Sequence, residues 1–111
     1  MKIKEMVAQM GLKVLNQGTH SDTEIVGGYT SDLLSDVMGN VDKDMVWITL
    51  QTHRNVVAVA ALKEVAAVVL VNGATLEVDA MKHAEEEGVT ICTSSLPAFE
   101  VTGEIYNLLK K

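Results

Sequence analysis

Five consecutive hydrogen-bonding side chains, Gln51-Thr52-His53-Arg54-Asn55, separate the apolar run Met45-Val46-Trp47-Ile48-Thr49-Leu50 from a second one, Val56-Val57-Ala58-Val59-Ala60-Ala61-Leu62. The order reads as strand, polar turn, buried helix. In a parallel α/β sheet ligands bind where the chain leaves the carboxyl end of a strand, so the turn is a candidate site. Arg54 can grip an anion through two parallel hydrogen bonds. The imidazole of His53 can contact a ligand, move a proton, or orient the turn through a hydrogen bond.

Three other polar segments follow expected strands: Tyr29-Thr30-Ser31-Asp32, Asn72-Gly73 and Thr93-Ser94-Ser95. Parallel strands would bring all four exits to one edge, where helix amino termini offer free N–H groups to a phosphate or carboxylate. The candidate contacts for a small anionic or nucleotide-like ligand are therefore Asp32, Thr52, His53, Arg54, Asn55, Thr93 and Ser94. Ordinary turn and capping chemistry is the competing account of the same residues. Asp32 and Asp36, four apart on an expected helix, suit either a metal or acid–base pair, or a solvated face. His53 with Asp32 would supply a base and its orienting group. Cys92 and His53 are the residue types of a thiol nucleophile and its base, but Cys92 falls inside an expected buried strand and reads better as core. His20 and His83 lack ligand spacing and read as surface residues, so no metal site is expected. Trp47 reads as core or as the wall of a pocket.

To position these residues the chain needs a regular α/β order. Ile3, Met6, Val7 and Met10 fall at i, i+3, i+4 and i+7 before Gly11, which predicts a short amphipathic helix. Leu12 to Leu15 then suits a short strand. Glu24-Ile25-Val26 suits a second, with Gly27-Gly28 as a tight exit of positive φ. Ser31 is placed to cap a helix through Met38 that Gly39-Asn40 ends. From Met45 the spacing predicts strand 45–50, helix 55–64, strand 66–71, helix 77–87, strand 89–92 and helix 97–109. Such alternation implies right-handed crossovers and parallel strands. Ala66 to Val71 is apolar without alternation, as a central strand covered on both faces would be.

The 111 residues predict one domain, 1–111, with one core. Hydrophobic residues make up 48% and aromatics 4%, so that core must be aliphatic, with six Met. A net charge of −6 with nine scattered Lys and Arg argues against nucleic acid as a partner. A single Cys excludes an intrachain disulfide or a Cys-rich cluster and fits a reducing cytoplasm. No apolar run reaches membrane-spanning length, and the amino terminus lacks a signal-peptide core. The phosphate-loop, Gly-x-Gly-x-x-Gly and Gly-x-Ser-x-Gly patterns are all absent, so the chain is expected not to be an enzyme, and no cofactor is indicated. Helix 55–64 is apolar nearly all round, which points to a homo-oligomer, a dimer above all, formed through it.

Ser31-Asp32-Leu33-Leu34-Ser35-Asp36-Val37-Met38, Gln51 through Ala60 and Pro97-Ala98-Phe99-Glu100 together resemble the DRTGG domain family. The likeness spans most of the chain. It implies a three-layer α/β/α module with a largely parallel central sheet, similar to the amino-terminal domain of HPr kinase/phosphorylase and to the regulatory domain of phosphotransacetylases. Such modules occur beside CBS pairs, are often regulatory and oligomeric, and small stand-alone relatives are associated with iron hydrogenases. The resemblance carries over no catalytic residue. It implies a non-catalytic, self-associating regulatory domain, or alternatively an interaction or accessory factor of a redox enzyme.

Overall fold

The structure, a computed structural model, describes residues 1–19 and 21–110. His20, expected at the surface, lies outside the described residues. Ten elements follow in order: α1 (Ile3–Met10), β1 (Lys13–Asn16), β2 (Gly27–Thr30), α2 (Leu34–Asn40), β3 (Met45–Thr49), α3 (Arg54–Lys63), β4 (Ala67–Leu70), α4 (Val78–Glu87), β5 (Ile91–Thr93) and α5 (Ala98–Lys110). The strands form one sheet in the order β1-β5-β4-β3-β2. β2, β3, β4 and β5 are parallel, and β1 joins β5 antiparallel. The expected α/β class with a largely parallel sheet is what the chain adopts, and the strand read as central, β4, is the middle one.

Alternation along the buried strands feeds two cores. Trp47, Val68, Leu70 and Ile91 pack against Val37 of α2, Val56, Val57 and Ala60 of α3, and Ala80 and Ala84 of α4. Their neighbours Val46, Ile48, Ala67, Val69 and Cys92 face the other way, against Ile3 and Met6 of α1 and Val101 and Ile105 of α5. Three crossover helices therefore cover one face, and the two remaining helices cover the other. Apolar residues on both sides of β3 and β4 explain why these strands read as unbroken hydrophobic runs.

α3 is the middle helix of its layer, packed against α2 on one flank and α4 on the other. That position accounts for its all-round apolar character: Val59 and Ala61 lie against the core beside the fully buried positions, leaving Ala58 and Leu62 exposed. Most of the apolar surface of this helix is thus covered inside the chain.

Two early elements differ from expectation. Gly27 and Gly28 are strand residues, not an exit, and neither has positive φ. Glu24 forms only an isolated antiparallel bridge with Lys2, and the strand starts three residues later. Here Gly27 pairs with Met45, whose Cε lies 3.5 Å from where a Cβ on Gly27 would stand. Ser31 does not cap α2: Leu33 occupies the cap position, and the Ser31 hydroxyl accepts instead from the Leu33 N–H at 3.2 Å. Gly39-Asn40 falls within the last turn of α2, which Val41 ends.

Candidate functional site

The four parallel strands release the chain on one edge of the sheet, and the polar exits divide into two groups. At the β2 and β3 end, one Asp32 carboxylate oxygen accepts from the Thr49 hydroxyl and the Leu50 N–H, both at 2.7 Å. The Gln51 amide donates to the Asp32 carbonyl at 2.9 Å, and the Trp47 indole donates to the Ser31 carbonyl at 2.9 Å. Asp32 is a strap between two exits as well as a group at the edge. Trp47 is fully buried, which settles it as core and excludes it as an open pocket wall.

Asp36 is engaged elsewhere: it accepts from the Tyr29 hydroxyl at 2.8 Å and from the Asn40 amide at 3.0 Å. The Tyr29 hydrogen bond, aided by Ser31 and Asn40, holds its carboxyl below the usual range, and the same bond raises the Tyr29 phenol. Asp32 and Asp36 therefore serve separate networks. Among the described residues no group of three or more His, Cys, Asp and Glu could hold a metal ion.

His53 is the N-cap of α3, its Nδ1 accepting from the Asn55 N–H at 3.2 Å, which leaves the proton of the neutral ring on Nε2. The orienting role weighed for this histidine is thus present in the geometry. Arg54 and Asn55 stand exposed beside it. The carbonyl of Thr52 accepts from the Glu77 N–H at 3.2 Å, tying the β3 exit to the β4 exit.

At the β4 and β5 end the arrangement opens. α4 leaves toward one face and α5 toward the other, the topological reversal at which α/β sheets form a crevice. A groove of about 790 Å³ lies there, lined by Gly73, Ala74, Thr75, Thr93, Ser94, Ser95 and Leu96, and closed by Met10, Gly11, Lys13 and Leu15. Its walls are stitched: the Thr93 hydroxyl donates to the Ala74 carbonyl and the Gly73 N–H to the Ser94 carbonyl, each at 2.7 Å. Gly73, at φ +68°, permits the turn.

Of the seven sequence candidates, Thr93 and Ser94 line this groove, whereas Asp32, Thr52, His53, Arg54 and Asn55 do not. Lys13 and the other residues contributed by α1 and β1 were missed, because no sequence signal placed β1 beside β5. Cys92 points into the α1–α5 core, where burial pushes its thiol up to about 12, so it is not paired with His53 as a nucleophile. His83 is partly buried, with Nδ1 3.8 Å from the Glu86 carboxylate. No helix of the described residues is long and apolar enough to cross a membrane.

No family model matches the chain, and no curated protein matches it in sequence. Among solved structures it is similar to the CBS and DRTGG domains of the regulatory region of Clostridium perfringens pyrophosphatase, complexed with the activator diadenosine tetraphosphate. The TM-score is 0.68 at 9% identity, over 89% of this chain and 43% of that one. At that identity the likeness is one of fold, and it agrees with the DRTGG-like architecture expected from the sequence.

Proposed function

We propose that this chain is a non-catalytic regulatory module of one domain that binds a small anionic, nucleotide-like ligand at the carboxyl edge of its sheet. The observation that carries the reading is the groove between the β4 and β5 exits. Its volume suits a ligand of nucleotide size. Ser94 and Ser95 can offer hydroxyl protons and Lys13 a positive charge at the rim, while Thr93, whose proton goes to the Ala74 carbonyl, shapes the wall. Arg54, exposed at the start of α3, is a second anion contact for a ligand long enough to follow the edge toward Thr52, His53, Asn55 and Asp32. The similar structure belongs to a regulatory region crystallised with a dinucleotide activator, which supports the ligand class.

The test is a thermal-shift titration with ATP, diadenosine tetraphosphate and phosphorylated sugars, since a ligand that binds only the native state raises the midpoint. A rise that Lys13→Ala abolishes locates the ligand in the groove. A rise that only Arg54→Ala abolishes moves it to the β3 exit. No rise with any of them shifts the weight to the second reading, an accessory factor of a redox enzyme such as an iron hydrogenase in a reducing cytoplasm. That reading draws on the exposed Phe99 and Tyr106 of α5. Self-association, through helix 55–64 or another surface, remains part of the regulatory reading; of the apolar residues of α3, Ala58 and Leu62 stay exposed for it.

A further inference from the structure

α5 carries a second, unpartnered surface. Phe99, Gly103, Tyr106 and Lys110 recur at helical spacing along a side turned away from the core residues Val101 and Ile105, and beside them the Thr102 hydroxyl is hydrogen-bonded to that of Thr30 on β2 at 2.8 Å. Phe99 is 86% and Tyr106 62% exposed, and Val26, just before the neighbouring edge strand, is 66% exposed. Beneath this stripe runs an apolar groove of about 310 Å³ between α5 and β2, floored by Ile48 and Ile105 and walled by Gly27, Gly28 and Tyr106. β2 ends the sheet. The Met1 carbonyl accepts from the Ile25 N–H, closing the edge just before the strand, but from Gly27 to Thr30 no further strand is paired on the outside among the described residues. Gly103 has nothing within 4 Å of where a Cβ would stand, so the chain's own packing does not require the glycine, although it weakens the helix.

We propose that the occupant of this face is a second copy of the chain, with β2 pairing antiparallel to its twin across a twofold axis and the two α5 helices packing side by side above the seam. A second copy fits this face better than another partner in geometry, area and charge. α5 lies over β2 and β3, so with strands about 4.8 Å apart its axis stands roughly 2.4 Å inside β2. Across a new β2–β2 pair the two α5 axes then come about 10 Å apart, the upper end of the usual spacing for packed helices. One register thus satisfies both the strand edge and the helix stripe.

The exposed area agrees. At their exposures Phe99 and Tyr106 present roughly 300 Å² and Val26 roughly 100 Å² more, which is the size of patch that marks an interaction site. Two copies bury about 800 Å² from these residues, and the groove walls and strand backbone carry the total toward the ~1,200 Å² at which specific interfaces begin. The charge agrees as well. In a chain of net −6, the groove has no acidic lining and one cation, Lys110. In an antiparallel helix pair Lys110, in the last turn, lies against the first turn of the second copy, which carries Glu100.

The experiment is a mass measurement by sedimentation equilibrium on the wild-type chain, Phe99→Glu/Tyr106→Glu, and Leu62→Glu on α3. The wild type and Leu62→Glu are expected at twice 12.0 kDa, and Phe99→Glu/Tyr106→Glu at 12.0 kDa with an unchanged circular-dichroism spectrum. A monomeric wild type at the highest soluble concentration overturns the proposal. So does a Phe99→Glu/Tyr106→Glu variant that stays dimeric, or dissociation caused by Leu62→Glu alone, which would return the interface to α3. If the double variant loses its spectrum, Gly103→Glu, at an open position of the same stripe, must give the monomer for the proposal to stand.

Discussion

At the scale of single residues, the polar groups of the carboxyl edge hold the loops in shape even before any ligand is considered. Asp32 is the clearest case, because the Thr49 hydroxyl it accepts from is buried and has no water to turn to. Asp32→Ala is expected to lower stability by about 1–3 kcal/mol, the cost of leaving such a donor unsatisfied, and Asp32→Asn by less, since an amide oxygen can still accept. Urea unfolding of the two variants checks the order; equal losses would mean that the strap contributes through its charge alone. His53 separates along different lines. As the N-cap of α3 it is expected to cost about 0.5–2 kcal/mol when replaced by Ala, while His53→Asp restores an acceptor for the Asn55 N–H and also suits the positive end of the helix. If His53→Asp is as stable as the wild type yet loses the nucleotide-induced shift, the imidazole has a ligand role beyond its cap.

At the scale of elements, the segment between β1 and the bridge at Glu24 is held by close backbone approach. A Cβ on Gly18 would stand 2.3 Å from the Gly88 carbonyl oxygen and 2.6 Å from the Thr90 nitrogen, and the Gly18 N–H donates to the Thr90 hydroxyl. Gly18→Ala must push this loop off the α4–β5 turn, and a loss of about 1–3 kcal/mol is expected in thermal or urea melts. Loss of less than half a kcal/mol would show that the loop moves away freely. No periodicity in the sequence marked this contact, and the same limit explains what was and was not legible. β3, α3, β4 and α4 were readable to within one or two residues because the two strands, covered on both faces, read as unbroken apolar runs and each is followed by a helix with an apolar body or stripe. β2 was not, because an edge strand that starts Gly27-Gly28 has little apolar pattern to show. The half-exposed β1 could be seen as a strand but not placed beside β5. Thr93 and Ser94 were therefore found from their exit, while Lys13, the partner of Thr93 on β1, was not.

For the molecule as a whole, pH acts from two sides on a core that holds one buried thiol. Lys4 beside Asp22, the N-terminal ammonium beside Glu24 and the Tyr29 hydroxyl on Asp36 each hold a carboxyl below its ordinary value. A lowered carboxyl contributes stability that is complete above the unfolded value, near 4, and is lost as pH falls through the folded one. Acid therefore weakens the two ion pairs that fasten α1 to the chain ahead of β2, Lys4–Asp22 and Met1–Glu24, together with the Tyr29–Asp36 bond. Cys92 works in the opposite sense. Burial raises its thiol from 9.0 to about 12, so above pH 9 the unfolded chain gives up a proton that the native chain keeps. Stability should then fall with rising pH, with a slope approaching about 1.4 kcal/mol per pH unit. Urea unfolding free energies are expected to be level from about pH 5 to 9 and to decline on both sides. In Cys92→Ala the alkaline decline should become shallower, what is left coming from the raised Tyr29 phenol and Lys4, while the acid one persists, whatever the variant loses in packing. An undiminished alkaline slope in that variant would assign it to lysines and tyrosines at the surface, and would mean that the α1–α5 core admits enough water to ionise the thiol in place.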